Sequence, residues 1–431
     1  MRKLGIYAQV PFCQTKCTYC NFHTGVVAKE RFAPYGVAVC REIRGHRQLL
    51  RASGVEWGSG KSQETELVVD TVYFGGGTPS LLEAGQLKEI LDTIRETFEA
   101  SGLGMVETES LFSTPRTQRE KARRARRSAA GAKSAACKNV FEEVTLEADP
   151  ETVNEEKATA WVQAGINRVS FGVQSFSDKE LVAAGRMHRR AHIYRAVPIL
   201  RGAGMQNISF DLIAGLPHQT KASWKQSLEE LIALGPEHVS VYLLEVDEGS
   251  RLGKELLAGG TRYSAGAVPS EDEMAEFYEM AQEKLGVAGY RHYEISNWAK
   301  PGFESKHNLK YWRREPYLGF GAGAHSFSGS QRWANAHDAA AYVSAIESGR
   351  LPVEQLETIT AEQALEEELF LGLRQLVGIN VGRIEKEYGV ALTRRFEPLA
   401  VLGLVKRDGD VVRLAEEKLS VSNEVFVELM K

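Results

Sequence analysis

Hydrophobic positions along this chain fall into two alternating textures. Short runs rich in β-branched and aromatic residues occupy positions 4–10, 67–74, 144–147, 168–173, 207–213 and 238–244, and such runs read as strands. Between them, apolar residues recur every three or four positions, as in LLEAGQLKEILDTIRETF, TVNEEKATAWVQAG, AHIYRAVPILRGAG and TKASWKQSLEELIALG. That period predicts amphipathic helices, three of them running into the Gly that stops a helix. Six strand–helix repeats predict a parallel sheet with right-handed crossovers, either doubly wound or a barrel. Glu147, Gln174 and Asp211 fall at or near the C-terminal ends of predicted strands, the edge that carries the site in both architectures.

The texture changes after about residue 330. Positions 360–376 read as one helix, with Thr360 and Gln363 spaced for a capping box. Two short helical patterns follow (VGRIEKEYG and TRRFEPLAVLG), then LVKRDGDVVRL, an Asp-Gly hairpin flanked by apolar alternation. With a final helix, this order predicts a small winged-helix-like unit. It has no basic stripe, so packing or interaction is expected of it rather than DNA reading. The expected organisation is a barrel domain over 1–330, a linker over 331–359 and a C-terminal unit over 360–431.

Length and composition narrow the class. The 431 residues are 43% hydrophobic and 26% charged, an ordinary globular balance that excludes a disordered chain. No apolar run reaches the length of a membrane span, and the opening MRKLGIYAQVPFCQTKC lacks a signal-peptide pattern, so a cytoplasmic protein is expected. The net charge of −4 conceals an asymmetry: residues 116–138 hold nine basic residues against one acid, leaving −12 on the rest. This stretch, within an expected surface insertion over about 105–140, reads as a solvated loop. The sharper alternative is docking to an anionic membrane surface. Without interleaved aromatics, nucleic acid is not expected as a partner.

The five cysteines carry the strongest chemical signal. Cys13, Cys17 and Cys20 form C-x3-C-x2-C directly after the first strand. Three thiolates on a tight loop suit three irons of a [4Fe–4S] cluster, leaving one iron for a non-protein ligand. Zinc is the alternative, with His23 as a fourth ligand. Cys40 lies in a predicted helix over 32–50, where a small core residue is expected, and Cys137 lies in the basic insertion.

The motif resembles that of the radical S-adenosylmethionine (SAM) superfamily, and so does Tyr73-Phe74-Gly75-Gly76-Gly77-Thr78-Pro79-Ser80 at the end of the second strand. Consecutive glycines let backbone approach a ligand, and in this superfamily that segment receives the methionine end of SAM. TLEADP at 145–150, RVSFGVQSF at 168–176, GRMH at 185–188 and DLIAGLP at 211–217 resemble the branch holding the oxygen-independent coproporphyrinogen III oxidases. The resemblance implies a partial (β/α)6 barrel and a SAM pocket of Tyr7, Tyr19, Gly76, Gly77, Thr78, Glu147, Gln174, Arg186 and Asp211. The later GFGAGA at 319–324 is expected to be a structural turn.

Two subfamilies share these motifs. The oxidases carry a further cysteine two positions after the third, and a longer segment before the cluster. Here Phe22 holds that place and only twelve residues precede Cys13. Both features resemble the HemW-type haem chaperones, as does His307-Asn308-Leu309-Lys310-Tyr311-Trp312. The resemblance implies haem binding near His307, Asn308, Tyr311 and Trp312, with His325 a competing ligand, and delivery of haem to apo-haemoproteins such as respiratory enzymes. Porphyrinogen oxidation and a zinc-stabilised binding module remain open, as does a homodimer.

Overall fold

The computed structural model describes residues 2–22, 24–52, 67–99, 141–429. His23, Cys137 and the whole basic segment 116–138 lie outside them. The six expected strands are present: β1 (Arg2–Val10), β2 (Leu67–Gly76), β3 (Glu143–Ala148), β4 (Arg168–Gln174), β5 (Asn207–Ala214) and β6 (His238–Leu243). They are hydrogen-bonded in sequence order and all parallel. The connecting helices include α1 (Phe32–Ala52), α2 (Ala84–Glu99), α3 (Glu155–Ala164), α4 (Asp178–Ala183), α5 (Arg190–Gly202) and α6 (Lys221–Leu234). Capping follows the local chemistry. The Asn154 side chain accepts from the Lys157 N–H at the start of α3, and Gly165 closes it at φ +97°.

The sheet is wider than the six repeats predict. β7 (Arg291–Glu294) and β8 (Asn297–Ala299) add an antiparallel edge beyond β6. On the other side β9 (Tyr317–Phe320) pairs in parallel with β1. It is followed by antiparallel β10 (His325–Phe327), β11 (Gln331–Asn335) and β12 (Val353–Thr358). These strands are short and lack the strand–helix rhythm, which is why pattern alone did not separate them from loops.

Side chains alternate across the sheet with a period of two. Val72, Phe74, Leu146, Val169, Phe171, Ile208, Phe210, Leu212, Val239 and Val241 form one buried apolar set with Trp161 of α3 and Trp224 of α6. The opposite face is polar: Tyr7, Tyr73, Thr145, Glu147, Ser170, Ser209, Asp211, His238 and Ser240. A barrel whose concave face is polar differs from one filled with Val, Ile and Leu.

The C-terminal part runs α7 (Ala361–Leu373), α8 (Val381–Tyr388), α9 (Thr393–Val401), a hairpin of Val405–Asp408 with Val411–Leu414, and α10 (Ser422–Leu429). This is the expected order, and Thr360 and Gln363 form the reciprocal cap. Glu367 anchors the part to the barrel through Arg314 at 3.0 Å and Arg332 at 2.8 Å. Among the described residues, no helix is long and apolar enough to cross a membrane.

Candidate cofactor site

β1 ends at Val10, and the loop after it is drawn closed by two backbone bonds: Cys13 N–H to Gly25 C=O at 3.0 Å, and Gly25 N–H to Pro11 C=O at 2.9 Å. The loop is pinned from the far side of the barrel, where the Thr18 N–H donates to Ala184 C=O and the Leu252 N–H donates to Thr18 C=O. Cys13, Cys17 and Cys20 are free thiols, each half-buried. Burial pushes the Cys13 and Cys20 thiols above their ordinary range. Cys40, in contrast, is buried in the core, as expected.

The glycine segment at the end of β2 lies against this loop. Gly77 N–H donates to Val10 C=O at 2.8 Å, and Thr78 N–H donates to Phe12 C=O at 2.7 Å. A Cβ on Gly77 would lie 2.4 Å from the Phe12 carbonyl oxygen and 2.9 Å from the Cys13 sulfur, and Gly76 has φ +116°. A side chain is therefore excluded where the backbone passes the cysteines.

Around these two segments the strand ends present a connected polar set. Glu147 accepts from the Tyr73 hydroxyl at 2.8 Å and from the Gly76 N–H at 3.0 Å. Burial, more than any other influence, raises its carboxyl to about 7. Asp149 accepts from the Thr78 hydroxyl at 3.2 Å and pairs with Arg186. Arg186 also points Nη1 at the Cys17 sulfur, 3.4 Å away, and donates to Gly172 C=O at 3.0 Å. Gln174 sits at φ +63°, a backbone strain that a non-glycine residue holds only where its surroundings enforce it. Asp211 accepts from the Ser170 hydroxyl at 3.1 Å, and burial raises its carboxyl. Tyr7 stacks on Tyr73 at 5.9 Å and donates to the Gln9 side chain at 2.7 Å. Tyr19 packs on an apolar cluster of Ala184, Ile213, Leu216, Leu244, Leu252 and Ala265.

The structure thus gathers the cysteine loop, the glycine segment, Glu147, Gln174, Arg186 and Asp211 at one edge of the sheet. Sequence reasoning missed Asp149, which links Thr78 to Arg186; its position directly before Pro150, at the end of β3, was the available signal. Among the described residues no three Cys, His, Asp or Glu side chains converge as ligands of one ion would. A four-iron cube takes one sulfur per iron and needs no such convergence. His23, the candidate fourth zinc ligand, lies outside the described residues.

The candidate haem motif occupies different ground. His307 and Tyr311 belong to a short helix (Lys306–Trp312) whose first N–H groups, on Lys306 and His307, donate to Glu143. The ring of His307 is 1% exposed, with Nδ1 2.9 Å from the Thr71 hydroxyl and Nε2 2.9 Å from the Tyr311 hydroxyl. Burial drops its pKa to about 3. In this arrangement neither ring nitrogen is open to an iron, and the pair forms part of the barrel floor. Trp312 turns the other way and stacks under Arg374 of the C-terminal part at 4.4 Å. Asn308 is half-buried and its N–H meets the Ser305 cap. The motif expected to gather around one haem is divided between two surfaces. His325 is exposed on β10. The GFGAGA string passes from β9 into a turn whose Gly321 N–H donates to buried Glu42 at 2.9 Å, and no helix starts there.

Residues 8–231 match the radical SAM superfamily, and residues 359–417 match the HemN C-terminal domain. A protein named haem chaperone HemW from Bacillus subtilis (strain 168) is 32% identical over 424 residues, covering 97% of each chain. The protein of the same name from Escherichia coli (strain K12) is 30% identical over 322 residues, 75% of this chain and 69% of that one. The solved structure of coproporphyrinogen III oxidase HemN from Escherichia coli, described as a radical SAM enzyme, superposes with a TM-score of 0.74 at 19% identity. The match covers 99% of this chain and 90% of that one, a likeness of fold.

Proposed function

The chain belongs to the radical SAM superfamily, in the branch of the haem chaperone HemW, and from that premise we propose that it binds haem and passes it to apo-haemoproteins. Cys13, Cys17 and Cys20 would hold a [4Fe–4S] cluster, and Tyr7, Tyr19, Gly76, Gly77, Thr78, Glu147, Gln174, Arg186 and Asp211 would hold SAM. The fit rests on the excluded side chain at Gly77 and on the chemistry of the donors. Three half-buried thiols on one short loop, with the Arg186 guanidinium 3.4 Å from the Cys17 sulfur, suit a cluster. Carboxylates at Glu147 and Asp211 suit the hydroxyl and amino groups of a nucleoside amino acid. Bound together, the cluster and SAM supply one-electron chemistry. The chain's part is to orient them: Asp149 fixes the Arg186 guanidinium, and Tyr73 with the Gly76 N–H fixes Glu147.

The observation that carries haem carriage over porphyrinogen oxidation is Phe22. It stands where the oxidase pattern has its further cysteine, and it is 71% exposed beside the cluster loop. The test is anaerobic reconstitution followed by two assays on one preparation. Haemin titration is expected to give saturable binding, and coproporphyrinogen III is expected to remain unconverted. Turnover of coproporphyrinogen without haem binding overturns the reading. A colourless, zinc-loaded protein overturns the cluster.

A further inference from the structure

Arg168 opens β4 and, by alternation with the buried Val169, faces the polar lumen. It is 2% exposed, and its Nε is buried without a partner. It makes no ion pair among the described residues. Other interior cations are matched: Arg186 has Asp149, and Lys310 has Asp70 and Glu315. The strand register sets Thr145 of β3 and Asn207 of β5 directly beside Arg168. Thr145 Oγ1 and Asn207 Oδ1 are also buried without partners. Three adjacent strands therefore turn three unsatisfied polar side chains towards one interior, where such groups cost stability.

The neighbours do not resolve this. His238 and His307 are held neutral by burial, with the charge of Arg168 pushing the same way. The Ser209 and Thr71 hydroxyls are already bonded to those rings. Glu143 is engaged by the Lys306 and His307 N–H groups. Asp211 is held by Ser170 and feels Arg168 only through space.

We propose that Arg168, with Thr145 and Asn207, is an anchor for a carboxylate carried by the ligand that enters the lumen. A guanidinium fork matches a carboxylate in shape and charge, the Thr145 hydroxyl can donate to it, and rotation of the Asn207 amide presents an NH2 to the same point. The identity of that ligand rests on the haem reading above, since haem bears two propionates on one edge.

The test compares haemin with haemin dimethyl ester, which keeps the iron and macrocycle but blocks the carboxylates. The wild-type protein is expected to bind the free acid roughly tenfold or more tightly than the ester. Arg168→Met is expected to close that gap with the cluster absorption unchanged, and Arg168→Lys to retain part of it. Arg168→Met in the ligand-free protein is expected to melt no lower than wild type, because it removes an unpaired buried charge; a structural role predicts a lower melting temperature. A second arm needs no haem. Millimolar propionate should raise the melting temperature of wild type and leave Arg168→Met unmoved. Equal binding of acid and ester, with no propionate effect, means that ordered water alone satisfies the row, and overturns the anchor while haem carriage stands. A propionate effect that depends on Arg168, in a protein that binds no haem, upholds the anchor and removes haem as its ligand.

Discussion

The two ends of the barrel use similar residue types to opposite purpose. At the C-terminal edge of the strands the backbone is strained at Gln174, the cysteines are half-buried and free, and burial raises Glu147 to about 7. At the floor, His307 is clasped between the Thr71 and Tyr311 hydroxyls, and His238 between the Ser209 and Tyr293 hydroxyls. One end holds strain and free thiols, as binding sites do; at the other both histidine rings have their hydrogen bonds closed, as in cores, and polar atoms without partners form the row at Arg168, Thr145 and Asn207. A histidine among tyrosines is thus informative only once its ring nitrogens are accounted for.

That contrast can be broken by substitution. The largest effect is expected at the cysteines. Cys17→Ser should abolish the visible absorption of the reconstituted protein while shifting its melting temperature little, since the thiol is half-buried; an intact spectrum would contradict the ligand assignment. Next is Gly77→Ala. Its Cβ would meet backbone 2.4 Å away, and displacement of the segment should weaken SAM binding on the order of a hundredfold, measured by equilibrium dialysis. Unchanged affinity would remove this segment from the pocket.

The floor should respond in reverse. His307→Ala leaves the Thr71 and Tyr311 hydroxyls without their partner and should cost about 3 kcal/mol of stability, read by denaturant unfolding, with the cluster spectrum retained. Lost haem affinity at unchanged stability would instead make His307 a ligand and erase the distinction.

The smallest effect concerns Glu42, buried behind the GFGAGA turn with Tyr342, Asn335 and the Gly321 N–H around it. Burial raises its carboxyl from an ordinary 4.5 to about 7. Between those values the folded chain holds a proton that the unfolded chain has released. The stability this contributes is full below about pH 4.5 and is lost as pH rises to 7. Glu42→Gln lacks this linkage, so the wild-type advantage in melting temperature should shrink by a few degrees across that window. A constant difference would refute it.

Much of this was legible in the sequence because it rests on local periodicity and spacing. The six parallel strands follow from runs of β-branched residues, and the cap at Thr360 from its offset to Gln363. The cysteine loop and glycine segment are contiguous motifs, and the barrel topology brings them together. What escaped depends on contacts across the chain. Asp149 looks like a turn residue until Thr78 and Arg186 close on it. The split of the His307–Trp312 motif between floor and C-terminal part is invisible in a six-residue string, because a helix aims its first and last residues at different surfaces. Arg168 reads as an unremarkable strand residue until the register sets unsatisfied Thr145 and Asn207 beside it.

In the proposed function, a three-cysteine radical SAM scaffold serves haem carriage. Absorption titration of the anaerobically reconstituted protein with haemin tests it most directly. Haem carriage requires a saturable shift of the haem band away from that of free haemin, with the cluster intact. A band identical to free haemin at every protein concentration would contradict it.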